Sequence, residues 1–133
     1  MSEVKHGRGY VYAIQYHIVW CVKYRHKLLS GDVDNRLKEI LQQIATDNDF
    51  TLAEIESDVD HIHLLVDCTP QHSIPSIIKA LKGVSARLIF KEFPQLKKQL
   101  SGGHLWNPSY FVATVSEQTE EQIRLYIQNQ KVR

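Results

Sequence analysis

The sequence predicts an α+β domain of the ferredoxin-like (RRM-like) kind: an antiparallel sheet with helices on one face, plus a C-terminal helix. Strand-like and helix-like hydrophobic periods alternate in the order βαββαβ before that last helix. The two middle strands are joined by only Asp58-Val59-Asp60, a connection short enough to force an antiparallel pair. The 133 residues, 43% hydrophobic and 23% charged, suit one folded domain spanning 1–133.

Each element has its own signal. Tyr10 to Val22 is rich in Val, Tyr, Ile and Trp, has no Gly or Pro, and reads as one long strand. Val33, Leu37, Ile40, Leu41 and Ile44 recur at helical spacing behind the capping candidate Asp32. Thr51–Ser57 and His61–Cys68 alternate as strands. Ser73 can cap the next helix, Pro75 is tolerated in its first turn, and Pro94 comes after its end. Ile74, Ile77, Ile78, Leu81, Val84, Ser85 and Leu88 form its inner stripe. Ser101–Gly103 and Asn107-Pro108 mark irregular chain before a fourth strand, Tyr110–Val115. Thr119-Glu120-Glu121-Gln122 fits a capping box opening a final helix that runs to the C-terminus.

No apolar run approaches the roughly 18 residues a membrane span needs, so no membrane partner is expected. The N-terminal MSEVKHGRGY lacks an apolar signal core, and Cys21 and Cys68 lack a CxxC spacing. Two buried free thiols and a cytoplasmic location are expected. The net charge of +1 hides an uneven distribution. Met1 to Lys27 holds Lys5, Arg8, Lys23, Arg25 and Lys27 against Glu3 alone. Asp47 to Asp60 is purely acidic, and Gln71 to Lys91 carries Lys79, Lys82, Arg87 and Lys91 with no acid. Such alternation permits a directional field suited to a polyanion, although ordinary solvated faces would also produce it.

The strand DHIHLLV poses the chemical question. Alternation puts His61, His63, Leu65 and Asp67 on one face and the apolar Ile62, Leu64, Val66 and Cys68 on the other. The two imidazoles start roughly 6–7 Å apart, a separation from which both can reach one ion. One strand histidine would read as a satisfied core residue; two on a face point to a metal. The final helix offers Tyr126 and Gln130 at i and i+4, where Tyr126 could equally pack with Ile123 and Ile127. On the helix from Ser73 to Lys91, Lys79 lies opposite the apolar stripe, Lys82 and Arg87 on its shoulders, and Gly83 between them. A mid-helix glycine costs up to about 1 kcal/mol relative to alanine. Close approach of a phosphate backbone would offset that cost, and so would helix packing in an oligomer. Lys23, Arg25 and His26, with Tyr24 interleaved, form a second candidate DNA surface.

Together these stretches resemble a known family. GRGYVYAIQYHIVWCVKYRH, DHIHLLV, IPSIIKALKGVSARL, LWNPSYFVATVSE and QIRLYIQNQ follow in order from Gly7 to Gln130. They are similar to the TnpA-type transposases, small single-tyrosine HUH enzymes of bacterial and archaeal insertion sequences. Val59-Asp60 stands where such proteins commonly have Pro-Asp, a departure in the turn and not in the ligands. The resemblance implies that His61, His63 and Gln130 hold Mg²⁺ or Mn²⁺ and that Tyr126 is the nucleophile. It implies attack on single-stranded DNA with hairpin ends, giving a 5′-phosphotyrosine and a free 3′-OH before strand transfer. It also implies a homodimer, with Ser116–Gln118 as the hinge of a tyrosine helix acting in cis or in trans. His17, with Gln15 on its face, would support the site or be an ordinary strand histidine. Three other readings compete. A histidine-triad hydrolase needs a further histidine where Leu65 stands. The others are a non-enzymatic ferredoxin-like nucleic-acid-binding module and a domesticated relative that processes host repeat hairpins.

Overall fold

The stretch expected to run unbroken from Tyr10 to Val22 is divided at Ala13. In the computed structural model, which describes residues 4–115 and 119–130, β1 (Lys5–Gly7) and β2 (Tyr10–Tyr12) form their own hairpin. Only β3 (Ile14–Cys21) enters the main sheet. The hairpin is made by the Arg8-Gly9 turn. Gly9 lies at φ 82°, a left-handed conformation natural to glycine, and it brings Tyr10 back opposite Gly7.

The remaining order is α1 (Gly31–Asp47), β4 (Thr51–Asp58), β5 (His61–Cys68), α2 (Ile74–Glu92), α3 (Pro94–Gln99), β6 (Phe111–Thr114) and α4 (Thr119–Gln128). The main sheet runs β4-β5-β3-β6, antiparallel throughout. Counting β3 to β6 as the four strands of βαββαβ, this is the ferredoxin-like arrangement: first and third strands central, second and fourth at the edges.

Several boundaries differ from expectation for local reasons. α1 starts at Gly31 behind Ser30, so Asp32 sits in its first turn, where a negative charge suits the helix dipole. Ser73 does cap α2, its hydroxyl accepting from the Ser76 N–H at 3.2 Å. Pro94 does not simply follow that helix; it occupies the first turn of the short α3. α4 stops at Gln128 instead of continuing to the C-terminus, and Gln130 lies beyond its last turn. The expected hinge, Ser116–Gln118, lies outside the described residues, as do the side chains of Thr119 and Glu120 in the capping box.

Directly paired residues on neighbouring strands share a face, so the register separates the two sides of the sheet. Ser57, Ile62 and Trp20 align on one side, as do Ile55, Leu64, Ile18 and Val112. This face packs against α1 and α2 through Leu37, Ile40, Leu41, Ile77, Leu81 and Ile89. Trp20 meets Trp106 edge-on at 5.6 Å, and the Trp106 indole N–H donates to the buried Ser85 hydroxyl at 3.0 Å. The opposite side carries Glu56, His63, Val19 and Phe111 in one row and Asp58, His61 and Cys21 in the next. A bulge between Leu52 and Glu54 puts Glu54 on this side as well. Cys21 and Cys68 are buried free thiols, and no described helix is long and apolar enough to cross a membrane.

Leu64 is fully buried beneath the helices, one residue from His63. Leu64→Ala is expected to lower unfolding free energy by about 2–5 kcal/mol, measured by denaturant titration. The polar face should lose only what the weakened strand loses.

Candidate active site

The His61 and His63 side chains project from β5 on the face away from α1 and α2, and each has a defined partner. His61 Nδ1 lies 2.8 Å from Asp60 Oδ1, and the other carboxylate oxygen accepts from Arg25 Nε at 3.1 Å. Asp60 is buried, and its backbone carbonyl accepts from the Val22 N–H at 2.9 Å. Burial alone would push the Asp60 carboxyl up, but the His61 hydrogen bond and the Arg25 charge outweigh it and hold it below the ordinary 3.8. An ionised Asp60 only accepts, so His61 Nδ1 is the donor of this pair. A carboxylate–imidazole pair of this kind orients a metal ligand.

His63 is held differently. Its Nε2 lies 2.7 Å from His17 Nδ1, and its Nδ1 lies 3.8 Å from Glu56 Oε2. Burial, reinforced by His17, keeps its pKa below 6.5, so the ring is neutral at neutral pH. His17 therefore touches the pair directly. Glu54, Glu56 and Asp58 flank the histidines from β4 on the same face and give the acidic segment a place: a negative border beside the two imidazoles.

α4 lies on this side too, packed on β6 and β3. Ile123 is buried, and the Tyr126 ring rests against Phe111 with centroids 5.7 Å apart. The Tyr126 hydroxyl is 2.7 Å from Ser109 Oγ. Burial raises the phenol's pKa above 10 although the Ser109 hydrogen bond pulls the other way, so the hydroxyl stays protonated at neutral pH. Gln130 folds back, its amide nitrogen donating to the Tyr126 carbonyl at 3.3 Å. No described hydrogen bond joins Tyr126 or Gln130 to the histidines. Among the described residues, no three His, Cys, Asp or Glu side chains converge as a metal site. Two imidazoles and a carboxamide nevertheless form a donor set that fits a divalent cation with open positions.

The basic residues divide into two groups. Lys79 and Arg87 are exposed, and a Cβ at Gly83 would meet only open space. Lys23 lies 5.1 Å over the Tyr24 ring, with His26 on the same ring's edge. Arg25 is committed to Asp60. Lys82 is turned inwards, its ammonium donating to the carbonyls of Asn107 (2.6 Å) and Ser109 (3.2 Å), and burial lowers its pKa to about 8. Lys23, Lys82, Gly83 and Arg87 all line one cavity of about 500 Å³, closed on its apolar side by Phe90 and Trp106.

Residues 10–130 match the family model described as "Transposase IS200 like". The chain belongs to this family. It is thus a transposase, an enzyme that cleaves and rejoins DNA. It is 55% identical to the ISDra2 transposase TnpA of Deinococcus radiodurans over 128 residues, 96% of this chain and 91% of that one. A crystal structure of a candidate transposase from Deinococcus radiodurans superposes with a TM-score of 0.93 at 53% identity, covering 97% of this chain and 99% of that one. A REP-associated tyrosine transposase solved with a REP hairpin shares the fold at a TM-score of 0.59 and 14% identity, over 93% of this chain and 68% of that one.

Two partners of the candidate residues are not evident from the sequence. Asp60 stands immediately before the histidines but looks like part of a turn. Ser109 lies inside the WNPSY stretch with nothing to show which side chain it meets. Asp60→Asn should reveal what the first of them does. Holding Asp60 below its ordinary pKa adds stability above pH 3.8 that is lost as pH falls through the lower folded value. The variant is expected to melt lower near neutral pH, with a smaller further loss on acidification than wild type. Melting curves on either side of pH 3.8 check this.

Proposed function

We propose that this transposase acts on single-stranded DNA with hairpin ends, with Tyr126 as nucleophile and His61, His63 and Gln130 as holders of Mg²⁺ or Mn²⁺. The observation that carries the reading is positional. Tyr126 rests on Phe111 of β6, and Phe111 shares a face and a cross-strand row with His63, with Val19 of β3 between them. Tyr126 and the histidines thus belong to one side of one sheet, with Phe111 and His63 standing two strand spacings or roughly 10 Å apart at the backbone.

In the reaction the Tyr126 oxygen forms a bond to phosphorus, the bond from phosphorus to the 3′ oxygen breaks, the phenol gives up its proton and the 3′ oxygen gains one. The products are a 5′-phosphotyrosine and a free 3′-OH. The phosphodiester's energy is retained in the adduct, so rejoining needs no nucleotide triphosphate. When bound, the cation supplies polarisation of the phosphate and stabilisation of the leaving oxygen. The chain's own part is to orient His61 through Asp60 and to keep His63 neutral through burial. Lys79, Gly83 and Arg87 on α2, with Lys23 across the cavity, form the surface we assign to DNA phosphates. The functional unit is a homodimer, and α4 serves its own or its partner's histidine pair. Hairpin recognition is supported by the fold shared with the REP-associated enzyme.

The catalytic set is tested by trapping labelled single-stranded DNA as a denaturation-resistant adduct. His61→Ala and His63→Ala should each abolish cleavage while hairpin binding survives, and a chelator should do the same. Gln130→Ala should be milder, because water can replace one neutral ligand. Tyr126→Phe should fold and bind but form no adduct; an adduct in that variant would assign the nucleophile elsewhere. Mixing Tyr126→Phe with His61→Ala subunits should restore activity at one composite site if the tyrosine works in trans, and none in cis.

The binding surface makes a separate expectation. Lys79→Ala and Arg87→Ala should each weaken binding and flatten its log–log salt dependence by roughly 0.7–0.9 for every phosphate no longer neutralised. Gly83→Ala has open space for its methyl and should stabilise α2 by up to about 1 kcal/mol while weakening DNA binding. Unchanged affinity and slope in the Lys79→Ala, Arg87→Ala double variant would return this face to plain solvation.

A further inference from the structure

Lys82 lies among the basic residues of α2, yet its ammonium does not point at solvent. It reaches across to the turn that leads into β6 and donates to two carbonyls, those of Asn107 and Ser109, that flank Pro108. Its charge lies 5.9 Å from the Trp20 ring, in a half-buried setting where charge-assisted hydrogen bonds are stronger than in water. The same turn is tied at other points. Asn107 N–H donates to the Cys21 carbonyl at 2.9 Å, Asn107 Oδ1 accepts from the Ser109 N–H at 3.0 Å, and neighbouring Trp106 is held by Ser85. Beyond the turn, Ser109 Oγ meets the Tyr126 hydroxyl at 2.7 Å.

We propose that Lys82 is a positioning residue for Tyr126: by bridging the carbonyls of Asn107 and Ser109 it fixes the turn from which Ser109 seats the phenol. The inference rests on Tyr126 as the nucleophile. Proline at 108 has no N–H, so the turn's own backbone offers these carbonyls one donor fewer. An ammonium has three hydrogens, and the two carbonyls engage two of them. A lysine reaching for phosphate would spend its hydrogens outward. Here the charge is used to set the height of a side chain on the opposite side of the sheet from α2. A phosphate-gripping Lys82 would act on affinity, whereas a turn-fixing Lys82 acts on the reacting geometry, where small displacements are expensive.

The test compares Lys82→Met, which keeps the aliphatic stem and removes the donors, with Ser109→Ala and the double variant in the full chain. The probe is a labelled single-stranded oligonucleotide carrying the element's own hairpin and flank. Expected are an unchanged DNA affinity and salt slope in Lys82→Met, and a fall of roughly 10- to 100-fold in the single-turnover rate of adduct formation. Ser109→Ala should fall similarly, and the double variant should be no slower than the slower single one, since both act through the same hydroxyl pair. Lys82→Arg, which restores donors in a different geometry, should recover part of the rate. A weaker affinity with a flattened salt slope would make Lys82 a phosphate ligand and overturn the proposal, as would additive losses in the double variant or a normal rate in Lys82→Met. A readout free of catalysis runs in parallel: in protein carrying ring-labelled tyrosine, the Tyr126 resonance should move in Lys82→Met as it does in Ser109→Ala. A resonance that stays at its wild-type position in folded Lys82→Met would equally overturn the clamp. If Lys82→Met does not fold, Lys82→Gln is read by the same resonance and rate. Loss of the nucleophile assignment itself would show separately, as an adduct that persists in Tyr126→Phe.

Discussion

Everything at the site depends on the register of β5. Ile62, Leu64 and Val66 are wholly buried against the helices, so the strand cannot slide by one residue without driving His61 and His63 into that core and its apolar partners out of it. Burying two imidazoles without partners would cost several kcal/mol, and exposing three aliphatic side chains would add to it. The hydrophobic effect therefore does more than hold the sheet to α1 and α2. It fixes which side of the protein carries the histidine pair, and Glu56 and His17 reach that pair from strands whose register is set by β5.

Periodicity made the four main strands, both long helices and the two-faced character of β5 legible in the sequence, because burial imposes a period of two or of 3.6 on any segment that packs. It made the histidine pair legible for the same reason: polar residues stood where the period demanded a consistent face. The division at Ala13 was hidden because β2 and β3 have the same composition and no Gly or Pro stands between them; only Gly9, in the turn before β2, hints at the β1–β2 hairpin. The early end of α4 is marked in the sequence only by Asn129, a weaker stop signal than glycine. Meetings between side chains distant in sequence left no periodic trace. Ser109 meeting Tyr126 and His17 meeting His63 depend on how elements stack, and nothing in either residue's neighbours announces its partner.

The basic residues show the same limit from another direction. By composition Arg25 and Lys82 belong with Lys79 and Arg87 to one positive population. Folding divides them by what they can reach. Arg25 has a buried carboxylate within hydrogen-bonding distance and neutralises it, and the same carboxylate orients His61. Lys82 finds two backbone carbonyls. Lys79 and Arg87 face solvent on their side of α2, and that is what leaves them able to meet a polyanion. Position on a helical wheel predicts exposure, but the length of a lysine side chain lets it cross from the shoulder of a helix into its neighbour.

The bulge in β4 changes the parity of that strand. Before it, odd-numbered residues such as Thr51 share the histidine side; after it, the even-numbered Glu54, Glu56 and Asp58 do. A regular strand of the same sequence would turn those three acids towards α1 or else turn Leu52 away from it. Ala53 therefore behaves as a spacer, and β4 is a strand that has absorbed an inserted residue without surrendering either face. Length variation in this edge strand is tolerated at that one place: removing Ala53 would leave a straight strand with both patterns intact, whereas removing any residue between Glu54 and Asp58 would invert whatever lies beyond it. Natural relatives that differ in length here should differ at the bulge.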